Sequence, residues 1–245
     1  MANNVLTHNL SEPLGAATTA KIDINTGTGN LTIDSLTGGE QLLASGELQY
    51  LEKQGLPTQS LNTINGQATL TLKAIGGGKS WLRLPWQACN GATDWQIHLN
   101  PNVQSDIAAC SGGGNVKLDL AGMAVTRVSA DTGGGNMDVV LPDNAADLNV
   151  TAKSGGGNVS VEIGGGITGS NSVNASSGAG NVSLRLPDGI AARIHATSGL
   201  GKVIMDSRFS KVDRDTYQSP DYDNSANKAE ITLSTGAGNV SVSTI

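Results

Sequence analysis

Residues 107–120 read IAACSGGGNVKLDL, and residues 128–141 read VSADTGGGNMDVVL. In both, apolar or small residues alternate with polar ones (Ile107, Ala109; Val128, Ala130) up to a glycine cluster. After an asparagine the alternation resumes (Val116, Leu118, Leu120; Met137, Val139, Leu141). A period of two puts one face of a strand in a core and the other in water, so each stretch reads as two strands around a tight turn. The phrase Ser/Thr-Gly-x-Gly-Asn plus an apolar residue starts at Thr26, Ser111, Thr132, Ser154, Ser177 and Thr235; at Ser198 it recurs with Lys202 in the asparagine place. From Asn115 to Lys202 the steps are 21, 22, 23 and 21 residues, and the step to Asn239 is 37, one period plus an insertion. A fixed period of this length is the mark of stacked repeats.

The amino-terminal third follows the pattern more loosely. Ile22 and Ile24, then Thr26-Gly-Thr-Gly-Asn30, then Leu31 and Ile33 form one repeat. Leu70, Leu72, Gly76-Gly77-Gly78-Lys79, Leu82 and Leu84 form another, and Ala88–Leu99 aligns with Ala109–Leu120. Leu-Pro closes several second strands (Leu84-Pro85, Leu141-Pro142, Leu186-Pro187), where proline ends a ladder that needs no further donor. The glycines are expected to supply positive φ for the reversals, and the asparagines to stack into an amide ladder. All seven aromatics, Tyr50, Trp81, Trp86, Trp95, Phe209, Tyr217 and Tyr222, fall in irregular zones or degenerate repeats, which makes them core or cap residues.

These patterns predict a single all-β domain over 1–245: a right-handed parallel β-helix-like solenoid or roll of roughly seven to nine rungs. Two packed β-sheets are the alternative, because the inward pattern is the same. Residues 1–104 hold irregular amino-terminal rungs and a cap, with 1–20 and 35–69 over one end; 105–245 hold the regular rungs, with 206–229 as an inserted surface loop. The chain runs out on Val240–Ile245, which reads as an uncovered strand and so as a candidate edge for self-association through 240–245.

Composition narrows the function classes. There are 33 glycines but seven prolines and no Gly-X-Y period, which excludes collagen. No apolar run reaches the length of a membrane span. A net charge of −6 argues against nucleic acid, which needs a basic stripe. The start, MANNVLTHNLSEPLG, shows neither the basic nor the apolar region of a signal peptide. The expected location is the cell envelope or exterior where a native leader or anchor has been removed, and the cytoplasm otherwise.

Candidate chemistry is sparse. Gly78-Lys79-Ser80 lacks the P-loop glycine at position 73, where Lys73 stands. His8, His98 and His195 are far apart, with His98 and His195 on outward positions of different strands. Asp213, Asp215, Asp221, Asp223 and Asn224 carry oxygens suited to Ca²⁺, but in no standard loop spacing, so 213–224 reads as solvated. Cys89 and Cys110, 21 residues apart, are expected on neighbouring rungs at about 4.8 Å. Side chains stacked in parallel point alongside one another, so outward, mostly unbridged thiols are expected and a disulfide stays open as the alternative. The sequons at Asn158, Asn181 and Asn239 follow from the repeat itself. No catalytic, cofactor-binding or metal-binding residues are expected.

Residues 19–50 (TAKIDINTGTGNLTIDSLTGGEQLLASGELQY) resemble the amino-terminal segment of toastrack domains, and the repeats from about 105 to 245 resemble a putative-adhesin β-strand-repeat family of unknown function. The resemblance implies a bacterial or archaeal all-β protein of the cell envelope, related to the carboxy-terminal domain of cell-wall-active antibiotic response proteins, with no established catalytic residues. The function expected is therefore a non-enzymatic envelope or surface module, adhesin-like or stress-sensing, with a protein or envelope-glycan partner. Its polar outer positions include Thr151, Lys153, Ser160, Glu162, Ser183 and Arg185. The alternative is a carbohydrate-binding or carbohydrate-active β-helix using Trp81, Trp86 and Trp95 with Asp94.

Overall fold

Alternating residues turn into alternating burial throughout. In 125–132 and 137–140 the inward set (Val125, Val128, Ala130, Thr132; Met137, Val139) is buried and most of the intervening residues are exposed or half-exposed. A computed structural model describes residues 4–38, 41–75 and 93–245. The amino-terminal strands are β1 (Val5–Pro13), β2 (Thr19–Asn25), β3 (Asn30–Ser35), β4 (Leu42–Leu51), β5 (Thr58–Ile64), β6 (Gln67–Lys73) and β7 (Asp94–Leu99). The regular rungs follow as β8 (Gln104–Ser111), β9 (Val116–Asp119), β10 (Val125–Thr132), β11 (Met137–Val140), β12 (Asn149–Ser154), β13 (Val159–Glu162), β14 (Ser170–Ser177) and β15 (Val182–Leu186). The carboxy-terminal set is β16 (Ala191–Ser198), β17 (Val203–Ile204), β18 (Ser210–Lys211), β19 (Thr216–Gln218), β20 (Lys228–Thr235) and β21 (Val240–Thr244).

These strands form two large mixed sheets with the core between them, a β-helix-like all-β fold that also answers to the two-sheet description. Within each rung the chain crosses from one sheet to the other at the glycine turn, so β8, β10, β12 and β14 lie in one sheet and β9, β11, β13 and β15 in the other. Pairing is parallel and in register: Ala109, Ala130, Ala152 and Ala175 share one row, facing the row Leu118, Val139, Val161 and Leu184. Small residues on one sheet and branched ones on the other keep the layers close, and all eight are buried.

The spatial order departs from the chain order at both ends. The repeat β2–β3 sits between β6–β7 and β8–β9, and the last repeat, β20–β21, sits between β14–β15 and β16–β17. Two expectations are corrected by this. First, β21 pairs with β15 on one side and β17 on the other, so 240–245 is not an uncovered strand. Beyond the two-residue β17, the Asp206 carboxylate accepts the Thr244 N–H (3.2 Å) and hydroxyl (2.9 Å). Those bonds and the Arg208 N–H, the largest influence, hold the Asp206 carboxyl below its usual range. Second, β7 and β9 are not neighbours, because β3 lies between them. Cys110 is flanked by Asn25 and Asp131; Cys89 lies outside the described residues.

The ends are capped differently. At one end β1 and β4 extend one sheet antiparallel and β5 extends the other. At the other end β18 and β19, within the stretch read as a surface loop, add antiparallel to β16 and bury Phe209 and Tyr222. Antiparallel caps finish a ladder that further parallel rungs would otherwise extend. No helix among the described residues is long and apolar enough to cross a membrane.

Candidate functional site

The feature that repeats with the sequence phrase is the ridge of glycine turns along one side of the solenoid. The first element of each turn is a buried hydroxyl. Ser111, Thr132, Ser154, Ser177 and Thr235 donate to the third-glycine carbonyl of the preceding rung in space (Gly29, Gly114, Gly135, Gly157 and Gly180) at 2.7–2.8 Å. Several also accept a backbone N–H of their own turn, as Ser154 does from Gly157 at 2.8 Å. Ser111, Thr132 and Ser154 thus each meet two backbone groups, a carbonyl and an N–H, that would otherwise be buried and unpaired.

The second element is the row of asparagines, whose side-chain oxygens bond the backbone of the next rung instead of mainly one another's amides, Asn158 Nδ2 to Asn136 Oδ1 (3.3 Å) being an amide–amide bond. The Asn30 carboxamide oxygen accepts the Asn115 N–H, Asn115 accepts from Asn136, and Asn136 from Asn158. Asn158 accepts from Asn181, Asn181 from Asn239, and Asn239 from Lys202, all at 2.8–3.0 Å. Among the described residues Lys202 stands on the last rung of this ladder, where its N–H donates to Asn239. At the other end Asp94 takes the asparagine place, accepting from Asn30 Nδ2 at 2.7 Å, while its own N–H donates to Gln49 Oε1 at 3.3 Å. Asn158→Ala is expected to lower stability by about 1 kcal/mol, the net worth of one such bond. Urea unfolding of the variant checks it, and a matched loss at Asn136→Ala is expected.

The third element, the glycines, has a different cause from the one the sequence suggests. Among the described turn glycines positive φ occurs only at Gly27 and Gly238. The first and third positions are required by the closeness of successive turns: a Cβ on Gly135 would lie 2.0 Å from the Gly114 carbonyl oxygen, and one on Gly157 2.0 Å from that of Gly135. The middle position is open, with nothing near Gly113 or Gly134, and in other repeats it holds Thr28, Ala179, Leu200 or Ala237.

The outer faces carry mostly polar residues. Across one sheet Asp23, Ala108, Ser129, Thr151, Asn174, Thr232 and His195 stand in one row. Across the other the row is Thr32, Lys117, Asp138, Ser160, Ser183 and Ser241. Exposed ion pairs such as Arg185–Glu162 (3.1 Å) and Lys73–Asp23 (3.1 Å) tie neighbouring rungs and contribute ~0–1 kcal/mol each. Burial, with Asp131 and Asp23 nearby, pushes the Cys110 thiol up.

The sequence-predicted candidates are not brought together. His8 meets Gln59 across the two sheets, whose amide also donates to buried Glu12. His98 pairs with Asp34, and His195 sits beside Thr216. The carboxylates of 213–224 turn to arginines: Asp223 to Arg193 (3.4 Å), Asp221 to Arg208 (3.8 Å) and Asp215 to Arg214 (3.8 Å). No group of three potential metal ligands occurs among the described residues. Trp95 is 1% exposed and its indole donates to the Gln49 carbonyl at 2.9 Å, so it belongs to the core rather than to a sugar-binding surface. Trp81, Trp86 and Lys79 lie outside the described residues. Two open hollows, of about 200 and 390 Å³, lie beside the return turns, one with Asp106 bonded to Thr126 (2.7 Å) and the other around Met123 and Asp143.

A cluster the sequence did not reveal secures the inserted segment. Tyr222 lies under the Arg193 guanidinium (4.4 Å to the ring centre) and near the Lys228 ammonium (5.1 Å), and its hydroxyl donates to Glu230. Burial first, then the bond to Glu230 and its charge, push the Tyr222 hydroxyl up to about 12. An unfolded tyrosine titrates near ~10, so the stabilisation is complete below that pH and is lost as pH rises through the folded value. Alkaline unfolding followed from pH ~9 to ~12 is expected to steepen across this window, and Tyr222→Phe to flatten it.

The profile of the family described as the N-terminal domain of toast_rack, DUF2154, matches residues 2–162. Among solved structures the chain is similar to a "putative cell adhesion protein" from Clostridium sporogenes, with a TM-score of 0.64 at 21% identity over 99% of this chain and 100% of that one. It is more distantly similar to a "putative adhesin" from Bacteroides fragilis, at 12% identity and a TM-score of 0.38 over 99% and 98% of the two chains. No curated relative matches the chain.

Proposed function

Because this chain belongs to the toast_rack family through its N-terminal domain, we propose that it is a non-enzymatic structural module of the cell envelope or cell surface. In this role its polar faces meet a protein or envelope-glycan partner. The observation that carries the reading is where the chain's polar groups go. Most of the distinctive ones, the turn hydroxyls and the asparagine ladder, are committed to joining one rung to the next. The outer rows, by contrast, present small hydroxyls and isolated charges instead of converging acid, base and nucleophile. A rigid platform of this kind suits display and spacing. The description of the Clostridium sporogenes protein as a "putative cell adhesion protein" supports the same reading.

The test is binding without turnover. The purified protein is expected to co-sediment with envelope fragments or to bind members of a glycan array, and to leave those glycans intact by mass spectrometry. Absence of binding to every envelope fraction and glycan overturns the surface role, and the appearance of cleaved products overturns its non-enzymatic nature. Fractionation of cells producing the tagged native gene product is expected to place it in the envelope or medium; recovery in the cytosol alone contradicts the location.

A further inference from the structure

We propose that the two out-of-order repeats are clasps: they make the body of the solenoid resist tension applied through its ends as one unit instead of peeling rung by rung. The inference rests on the topology and goes beyond the surface role.

In a solenoid whose rungs follow chain order, the last rung is an edge. Pulling the chain end breaks one ladder, then exposes the next edge to the same load, so units come away singly. Here the chain end loads a rung that is not an edge. β20 is paired along its whole length, Lys228–Thr235, with β14 on one flank and β16 on the other. β21 is held by β15 over Val182–Leu186 and by β17 and Asp206 on the opposite flank. Withdrawing 228–244 therefore breaks ladders on both flanks together and cuts β16–β17 off from the body of the solenoid, leaving β16 with β19 alone. The rung that shields it, 191–204, cannot leave first, because it is tied to the chain end only through 205–227 and carries no load until β21 yields.

The amino-terminal end repeats the device one step inward. Among the described residues β1 pairs only with β4 and stands at the edge of its sheet. The next segment, β2–β3, is enclosed: β2 lies between β6 and β8 over Thr19–Asn25, and β3 lies between β7 and β9. The chain steps over each enclosed rung by a short link, Asn100–Val103 on one side and Pro187–Ile190 on the other.

The two arrangements differ in single-molecule extension between the termini of the intact protein. The clasped fold is expected to give one small early gain of at most about 50 Å, the contour of residues 4–18 at ~3.5 Å per residue, as β1 and its link come free. A single large event should then release the remainder, because once a clasp fails every later rung is an edge weaker than the load already applied. A train of steps near ~70 Å, one rung of chain each, overturns the proposal. Matched truncations give a second readout. Val159 in β13 and Val240 in β21 occupy one row of the core through Val182 of β15, and both are fully buried. Val240→Ala or the equivalent Leu31→Ala in β3, whichever clasp yields first, is expected to lower the peak force, and Val159→Ala to leave it unchanged. A peak that falls with Val159→Ala as far as with the other two overturns the proposal as well.

Discussion

Gly135→Ala is expected to destabilise the protein by about 3 kcal/mol or more, while Gly134→Ala, one position earlier, leaves stability unchanged or raises it by up to ~1 kcal/mol. The added methyl at 135 meets the backbone carbonyl of Gly114 at 2.0 Å, and that carbonyl cannot retreat without breaking its bond from the Thr132 hydroxyl, 2.7 Å. Neighbouring turns repeat the arrangement, since Gly157 in turn approaches Gly135, so relief at one rung transfers strain to the next. At 134 nothing lies near the new methyl, and the unfolded chain loses freedom. Denaturant midpoints of the two variants separate the causes: comparable losses at both positions would mean that backbone freedom, not close approach, sets the glycine requirement.

Trp95→Ala is expected to cost about 3–5 kcal/mol, the range for emptying a large buried aromatic site. Trp95 shares its row with Leu31 and Val116, so the cavity opens where the amino-terminal cap meets the first regular rungs. Trp95→Phe keeps much of the volume but orphans the Gln49 carbonyl, and a smaller loss is expected. Neither substitution is expected to change glycan binding measured on folded protein below the unfolding transition. Loss of binding by folded Trp95→Phe would restore the tryptophan to a recognition surface.

Much of this architecture was legible because the repeat is strict. The phrase around Asn115, Asn136, Asn158 and Asn181 locates each turn, and the alternation on either side gives each strand its inward face. Even the degenerate alignment of Asp94-Trp95 with Asn115-Val116 holds, since the two rungs share their rows through Asn30-Leu31. The inserted segment was less readable. Its two short strands, Ser210–Lys211 and Thr216–Gln218, are too brief for any period to show, and the pairing of Tyr222 with Arg193 and Glu230 joins residues with no sequence relation. The candidate site residues were read as scattered, and the described ones are: each histidine and acidic side chain takes its own local partner.

By itself the sequence determined the strand faces, the length of a rung and the places of the turns, because these depend on residues a few positions apart. The tertiary structure alone decided which rung lies beside which. Every rung offers its neighbours the same alternation and the same asparagine acceptor, so pairing specificity between repeats is nearly degenerate. Which neighbour a rung takes is decided only when distant parts of the chain meet: the links that step over a rung, 100–103 and 187–190, are no longer than those that join adjacent ones. The same holds for the glycines: their spacing is written in the chain, but their necessity arises only when one turn is laid against another.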